Sequence, residues 1–201
     1  MLWPSPNWDT VTYWALDLET GGLDARTDPI LSVGMVPVRE AAIRLGEAYA
    51  SLVRPDDAAA IDPRSIGAHH LRPGEVRTAP PLAGVLAEVD RRLREGVLLV
   101  HQAALDVPFL RRAYRRERMR WPDPPVVDTV ALLIKAAKRA RFVDPGAPEH
   151  EPDLNLVAAR HAYGLPDYGQ HDALTDAVAT AELFLVLRKQ VGAKRLRELR
   201  G

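Results

Sequence analysis

The sequence contains no cysteine in its 201 residues. Disulfides, thiolate zinc sites, iron–sulfur clusters and cysteine nucleophiles are therefore excluded. An excess of charge of either sign is also missing, because 27 lysines and arginines balance 27 aspartates and glutamates. Together with an apolar fraction of 47%, this balance excludes an intrinsically disordered chain and a strongly basic coat for nucleic acid. The apolar fraction is sufficient for a buried core.

Long apolar runs are lacking as well. No run approaches the roughly 18 residues that a membrane span requires, so we expect no membrane partner. The first ten residues carry neither the basic nor the apolar segment of a secretory signal, and we therefore expect a cytoplasmic protein. At roughly 150 residues per domain, the length predicts one domain. We place it at residues 10–191, with short terminal extensions at 1–9 and 192–201.

Several well-known site signatures are also absent. The sequence has no G-x-S-x-G, which argues against a serine hydrolase of the α/β type. It has neither the phosphate-binding P-loop nor the glycine pattern of dinucleotide-binding folds, and no H-E-x-x-H for a zinc hydrolase. The chemistry must therefore be sought in other residues.

Hydrophobic patterning predicts strands first and then strands alternating with helices. Three strand-length segments, Tyr13–Leu18, Ile30–Val38 and Tyr49–Val53, are separated by short spacers that suit antiparallel neighbours. Val97–Val100 and Val126–Val127 predict two further strands. Helical periodicity is found over residues 82–93, 129–140, 154–163 and 172–191 and around residue 109, with a loop over 142–152. This order predicts an α/β fold with a mixed five-stranded sheet and helices on its faces.

Two carboxylates interrupt the first apolar segment. Asp17 and Glu19 are two residues apart on a strand, so both point to the same face of the sheet. Two such groups on a buried face repel each other and need a compensating cation, either a basic side chain or a divalent metal. If the strand instead ends at Leu18, both acids are simply solvated. Thr20 and the glycines that follow form a turn that would let a phosphate or base approach closely.

Further acidic residues lie near predicted helix starts. Asp106 follows the fourth strand, where a helix N-cap or first-turn acid is also common. His171 precedes the last helix, and Asp176 projects from the turn that follows. Taken singly, each has an ordinary explanation as a surface histidine or a partly exposed helix acid.

The three segments together resemble the DnaQ-like 3′–5′ exonucleases of the DEDDh subgroup, which include the proofreading subunit of bacterial replicative polymerases. The family motif D-x-E-T-x-G is matched at residues 17–22, H-N-A-x-F-D-x-x-F-L at residues 101–110 and H-x-A-x-x-D-A at residues 171–177. Weaker similarities occur at His69-His70-Leu71 and at Val127-Asp128-Thr129. The resemblance covers nearly the whole chain, from about residue 10 to residue 190.

The resemblance implies a ribonuclease H-like fold and a two-metal exonuclease that uses Mg²⁺ or Mn²⁺. The implied metal ligands, which are also catalytic, are Asp17, Glu19, Asp106 and Asp176. His171 would be the general base that takes a proton from the attacking water. The implied contacts to the terminal nucleotide are Thr20, Gly21, Leu23 and, more weakly, His69. The expected reaction releases 5′-mononucleotides from the 3′ end of DNA, in proofreading or repair.

Three positions depart from the family pattern. Gln102 stands where the family has Asn, Leu105 where it has Phe, and His70 where it often has Gly. None of these replaces an implied metal ligand. The departures therefore bear on how the substrate fits rather than on metal binding.

Several alternatives stay open at the level of sequence. The motifs do not separate DNA from RNA, so an exoribonuclease on the same fold is one rival, and a non-catalytic interaction module is another. The expected partners are single-stranded DNA 3′ ends and, for a replication subunit, a DNA polymerase catalytic subunit. Basic residues form three groups, each of which could equally be a solvated helix face: residues 111–120, 135–141 and 194–200.

Overall fold

A six-stranded mixed sheet forms the centre of the computed structural model, which describes residues 5–56, 73–144, 151–169 and 172–200. The strands are β1 (Tyr13–Thr20), β2 (Ile30–Arg39), β3 (Ala42–Ile43), β4 (Tyr49–Leu52), β5 (Val97–Val100) and β6 (Val126–Asp128). Their order in space is β3-β2-β1-β5-β6, and β4 pairs with β2 as well. The α/β fold class with a mixed sheet is confirmed.

Strand direction divides the sheet into two halves. β1 and β2 are antiparallel, with Tyr13 opposite Val38 and Asp17 opposite Gly34, and β4 is antiparallel to β2. β1, β5 and β6 are parallel, so their carboxyl ends meet at one edge. The predicted antiparallel start is therefore confirmed. The sheet has one strand more than the five predicted, because the two-residue β3 is too short to show any alternation in the sequence.

Six helices lie within the described residues: α1 (Pro73–Arg77), α2 (Leu82–Leu93), α3 (Ala103–Arg116), α4 (Thr129–Val143), α5 (Leu156–Ala162) and α6 (Ala173–Val191). The sequence did not indicate α1, which is a single short turn. The predicted loop over residues 142–152 is wrong at its start, because Phe142 and Val143 still belong to α4. α5 is shorter than the predicted helix over 154–163, since Asn155 caps it. α6 begins one residue later than predicted, with Asp172 as its N-cap.

The alternation of side chains along β1 separates two hydrophobic clusters, one on each face of the sheet. Tyr13 and Ala15 pack with residues of α4, α5 and α6. Leu16 and Leu18 pack on the other face with residues of α2 and α3. Helices therefore cover both faces, as predicted. Asp17 and Glu19 share the face of Ala15 and so point toward α6.

The residues near both termini pack against the first of these clusters. The backbone N–H of Trp8 donates to the carbonyl of Lys194 at 3.1 Å. Leu196 and Leu199 are buried among the residues of that cluster. The domain limits at residues 10 and 191 stay a prediction.

Across the residues that the structure describes, no helix combines the length and the apolar character needed to cross a membrane.

Candidate metal centre

Three carboxylates converge where β1 meets the first turn of α6. Asp17 and Glu19 come from the strand and Asp176 from the helix, and each offers an oxygen such that all three oxygens lie within 4.8 Å of one another. An all-oxygen donor set at this separation suits a hard divalent cation such as Mg²⁺ or Mn²⁺. The residues present therefore fit a metal ion. β1 continues to Thr20 rather than ending at Leu18, and all three residues are half-buried.

Asp106 approaches the same centre from the other side. It lies in the first turn of α3 and is only 8% exposed. Its negative charge is the strongest neighbouring influence that raises the pKa of Asp17. Asp106 is not among the three carboxylates whose oxygens meet within 4.8 Å. The fold thus brings a fourth acid close to the cluster through the helix that follows β5.

The carboxylates raise one another's pKa values. Burial raises the pKa of Asp17 well above its usual range, and the charges of Asp106, Asp176 and Glu19 raise it further. Burial, followed by the charges of Asp176 and Asp172, raises the pKa of Glu19 to about 7. Burial and the charge of Asp128 raise the pKa of Asp106. A divalent cation at this centre would offset both the repulsion and the loss of hydration.

A glycine in β2 allows α6 to reach the strand. Gly34 is the register partner of Asp17. A Cβ atom on Gly34 would lie 2.2 Å from the backbone carbon and oxygen of Ala173 and 2.3 Å from the backbone nitrogen of Leu174. The first residues of α6 therefore rest directly on the β2 backbone. This close approach is what carries Asp176 to the two carboxylates of β1.

The segment after Glu19 turns away from the sheet. The Thr20 hydroxyl donates to the carbonyl of Gly22 at 2.6 Å, and the Gly21 N–H donates to the carbonyl of Pro29 at 2.8 Å. The Gly21 amide is thus engaged within the fold. Leu23, in contrast, is 84% exposed at the tip of this turn. Of these residues, Leu23 presents the largest apolar surface to solvent.

His101 connects the end of β5 to the segment before α5. One ring nitrogen, Nε2, lies 2.8 Å from the carbonyl oxygen of Leu154, and Nδ1 lies 2.7 Å from the Thr129 hydroxyl. A carbonyl only accepts, so Nε2 carries the proton. The Thr129 hydroxyl beside Nδ1 also lies 3.3 Å from the carbonyl of Val100, to which it donates. Burial lowers the pKa of His101, which agrees with a neutral ring. His101 is therefore engaged as a structural link.

Asp128 fixes the start of α3. Its carboxylate accepts from the backbone N–H groups of Gln102 and Ala103, each at 2.9 Å, and from that of Val130 at 2.9 Å. It therefore caps α4 and also holds the residues that precede Asp106. Gln102 adopts a left-handed backbone conformation, with φ of 71°, which makes a tight entry into the helix.

We expect Asp128→Ala to lower the free energy of unfolding by about 1–2 kcal/mol, the usual cost of losing an N-cap, and also to reduce any cation-dependent activity. The second effect arises because the released start of α3 moves Asp106. Asn155→Ala is the matched control, since Asn155 caps α5 through Val157 and Ala158. Denaturant unfolding and metal-binding titration should separate the two variants. Equal metal affinity in both would contradict a positioning role for Asp128.

The predicted site residues fall into three groups. The structure brings Asp17, Glu19 and Asp176 together, with Asp106 beside them. Thr20, Gly21 and Leu23 lie on the segment that leaves the centre. His69 and His171 lie outside the described residues, so their predicted roles stay predictions.

Sequence reasoning missed the supporting residues of the centre. Asp128 stands out in the sequence only as part of a motif, although an Asp before a helix is a common N-cap signal. Asp172 caps α6 by accepting from the Thr175 backbone N–H at 3.1 Å, and its charge also bears on Asp17 and Glu19. Gly34 could have been suspected, because glycine inside a strand often marks the close approach of another backbone.

Acidic residues at the end of the central strand of a mixed sheet, met by two helix starts, suit a metal-dependent hydrolase. The exonuclease family model for RNase T matches residues 14–184 of the chain. The chain therefore belongs to this family of 3′–5′ exonucleases, as the resemblance of its motifs implied.

Curated relatives and solved structures are similar over most of the chain. A DNA polymerase III subunit epsilon-like protein of Rhodobacter capsulatus is 32% identical over 189 residues, which cover 94% of this chain and 25% of that protein. The DNA polymerase III subunit epsilon of Treponema pallidum is 29% identical over 177 residues, covering 88% of this chain and 76% of that one. E. coli exonuclease I in complex with a dT13 oligonucleotide has a TM-score of 0.74 at 19% identity, covering 90% of this chain and 41% of that one, which shows the shared fold.

The chain is much shorter than several of these relatives. It spans between 13% and 27% of the length of three curated proteins that it matches.

Proposed function

We propose that the protein is a metal-dependent 3′–5′ exonuclease that releases 5′-mononucleotides from single-stranded DNA, in proofreading or repair. The observation that carries this proposal is the meeting of the Asp17, Glu19 and Asp176 oxygens within 4.8 Å, with the buried Asp106 beside them. The name of the T. pallidum relative, a DNA polymerase III subunit, supports DNA as the substrate class.

The proposed chemistry divides between the carboxylates and a base. Asp17, Glu19, Asp106 and Asp176 would hold two divalent cations. Bound cations would stabilise negative charge on the attacking and leaving oxygens of an in-line phosphoryl displacement. His171, one residue before the N-cap of α6, would accept the proton of the attacking water, a role that suits an imidazole near neutral pH. The segment from Thr20 to Leu23 would hold the terminal nucleotide.

The test uses 5′-labelled single strands of DNA and RNA with matched sequence. Each is incubated with the wild type and with His171→Ala, in Mg²⁺, Mn²⁺ or EDTA. We expect a ladder that shortens from the 3′ end, fails in EDTA and is slowed by roughly 10²–10⁴-fold in the variant, the usual contribution of a general base. Intact strands in every lane would overturn the proposal.

The same assay decides between the proposed DNA substrate and its rivals. Preferential shortening of the RNA strand would identify an exoribonuclease on the same fold. Cleavage of neither strand, combined with metal-independent stability, would favour a non-catalytic interaction module. A polymerase catalytic subunit is a further proposed partner, and its addition to the DNA reaction would test whether the protein acts as a replication subunit.

We expect the cation-free protein to become less stable as pH rises from about 4.5 to about 7 on account of Glu19. Its pKa is raised from 4.5 to about 7, so the folded state binds more protons than the unfolded state in that range. The stabilisation is present below the unfolded pKa and is lost as pH rises through the folded pKa. The measurement is the free energy of unfolding against pH for the wild type and for Glu19→Gln, in EDTA.

The difference between these two proteins reports the titration of Glu19 together with its effect on Asp17 and Asp106, and a difference that does not change with pH would contradict the assignment. Mg²⁺ or Mn²⁺ at pH 8 should restore stability. A cation present at one hundred times its dissociation constant adds about 2.7 kcal/mol to the free energy of unfolding.

A further inference from the structure

A basic depression of about 470 Å³ lies between α3 and the turn that follows β1. Its lining includes Arg26 from the turn and Arg111, Arg112 and Arg115 from α3. Four guanidinium groups thus surround one concave surface. The position matters because the two segments that form it also carry the candidate metal ligands Glu19 and Asp106.

Two of the four charges have no acidic partner among the described residues. The Arg112 guanidinium donates to three backbone carbonyls, those of Asp28 at 2.8 Å, Ala25 at 3.2 Å and Thr27 at 3.3 Å. These carbonyls hold the group in place without neutralising it. The Arg115 side chain is exposed and makes no hydrogen bond or ion pair within the described part of the chain; its backbone carbonyl accepts from the Arg118 N–H.

The other two charges each have an acidic partner. Arg111 lies 3.4 Å from Asp123, in a pair whose side chains are 55% and 80% exposed, and a pair exposed to this degree contributes little. Arg26 binds Asp24 more closely, with Nε 3.1 Å and Nη2 3.0 Å from the carboxylate oxygens, so its charge is offset by that carboxylate. Arg112 and Arg115 carry the uncompensated charge. The depression therefore keeps a net positive charge.

The structure also shows which arginines of residues 111–120 face the depression, which the sequence alone does not show. Arg116 pairs with Asp56 and lies 3.5 Å from Glu117, so its charge is taken up within the fold. Arg118 and Arg120 do not line the depression. Only three of the six arginines in this part of the chain face the concave surface.

The distance along α3 suggests what this surface binds. Asp106, Arg111 and Arg115 lie on one helix, and a helix rises 1.5 Å per residue. The two arginines are therefore displaced along the axis by about 8 Å and about 14 Å from the candidate metal ligand. At about 100° per residue, Arg111 and Arg115 lie on the face of α3 opposite the buried Asp106, so a strand whose terminal phosphodiester lies at the metal centre would reach this depression by passing over the amino end of the helix.

We propose that the depression lined by Arg26, Arg111, Arg112 and Arg115 binds phosphodiester groups of the nucleic-acid strand upstream of the nucleotide being removed. This proposal rests on the proposed function, because it takes the strand end to lie at the metal centre. Guanidinium groups bind phosphate oxygens in a bidentate manner, which suits a backbone contact that is independent of base sequence.

The test compares Arg111→Gln/Arg115→Gln with Arg120→Gln, an exposed arginine of the same region outside the depression. Arg112 is left intact, since it also holds the turn. Binding of a fluorescent single-stranded oligonucleotide, as DNA and as RNA, is measured in the Asp17→Asn background, where cleavage does not interfere. We expect the double variant to bind about tenfold more weakly, at about threefold per exposed ionic contact, and Arg120→Gln to bind as its parent.

The salt dependence gives a second readout that a local structural change would not mimic. For single strands the slope of log affinity against log salt should become shallower by about 0.7 for each phosphate that the variant no longer neutralises. Equal affinities and equal slopes for the double variant and Arg120→Gln would overturn the proposal.

A small substrate separates this proposal from the proposed function. A p-nitrophenyl ester of thymidine 5′-phosphate has no upstream phosphodiester, so its hydrolysis reports on the metal centre alone. In an otherwise wild-type protein, the double variant should hydrolyse the ester at the parental rate and should show a raised KM for the oligonucleotide. If the wild type does not hydrolyse the ester, that result counts against the proposed exonuclease activity. The oligonucleotide-binding comparison would still test whether the depression binds phosphodiester groups.

Discussion

Asp17→Asn should abolish cation-dependent hydrolysis and, at the same time, stabilise the cation-free protein. Asp17 is the carboxylate on which the other acids of the centre act, since Asp106, Asp176 and Glu19 all raise its pKa. Loss of one group that stabilises transition-state charge already costs about 10²–10³ in rate, and we expect a fall of at least about 10³-fold if Asp17 holds the metal as proposed. Removing the charge also removes repulsion, which should add about 1–2 kcal/mol to the free energy of unfolding.

The opposite signs of these two effects make the result diagnostic. A residue needed only for folding would lose activity and stability together. Glu95→Gln is a suitable control, because Glu95 is exposed next to the amino end of β5, away from the carboxylates. The measurements are initial rates in Mg²⁺ and chemical denaturation in EDTA. A less stable Asp17→Asn protein would contradict the electrostatic account of the centre.

Gly34→Ala should move the α6 side of the centre away from the β1 side without replacing a charged group. The added Cβ atom would lie 2.2 Å from backbone atoms of Ala173, which cannot rotate away as the end of a side chain can. α6 must therefore shift from β2 and carry Asp176 with it. We expect a loss of about 1–3 kcal/mol from overpacking. A displacement of about 1 Å at a reacting centre costs about 10²-fold in rate, so activity should fall by a similar factor.

Gly84→Ala provides the comparison for this variant. Gly84 lies inside α2, and a Cβ atom there would meet nothing within 4 Å. Alanine is the better helix former, so this change should stabilise the protein by about 0.5–1 kcal/mol and leave activity unchanged. Thermal unfolding and initial rates measured side by side would show whether the Gly34 effect is specific. Full activity in Gly34→Ala would mean that close packing of α6 is not needed for the centre.

Much of the sheet could be predicted from the sequence because its strands are strongly patterned. The buried apolar run of β2 and the four apolar residues of β5 have few competing interpretations. The end of α4 was harder to predict from the sequence. Phe142 and Val143 continue this helix although they are 87% and 74% exposed and show no helical periodicity of their own. The two residues of β3 carry no pattern at all and form a strand only because β2 is beside them.

The carboxylates of the metal centre could be predicted from the sequence, but the contacts that hold them in place could not. Alternation on a strand already places Asp17 and Glu19 on one face, and the motif resemblance adds Asp106 and Asp176. The hydrogen bonds that Asp128 accepts from the backbone N–H groups of Gln102 and Ala103 join residues that are far apart in the sequence, and only the fold reveals them. Which of the clustered arginines face a common surface depends likewise on the turn after β1, whose carbonyls orient Arg112.

The packing of α6 on Gly34 has a consequence for how the protein folds and unfolds. The carboxylates of β1 and of α6 come from opposite ends of the chain, so their contact closes a loop of nearly the full length and has a high contact order. Interactions that form after the transition state act mainly on the rate of unfolding. If the centre closes late in this way, bound cations lengthen the lifetime of the folded state while leaving the rate of folding nearly unchanged. The chain would then be able to fold before it meets the ions on which its proposed chemistry depends.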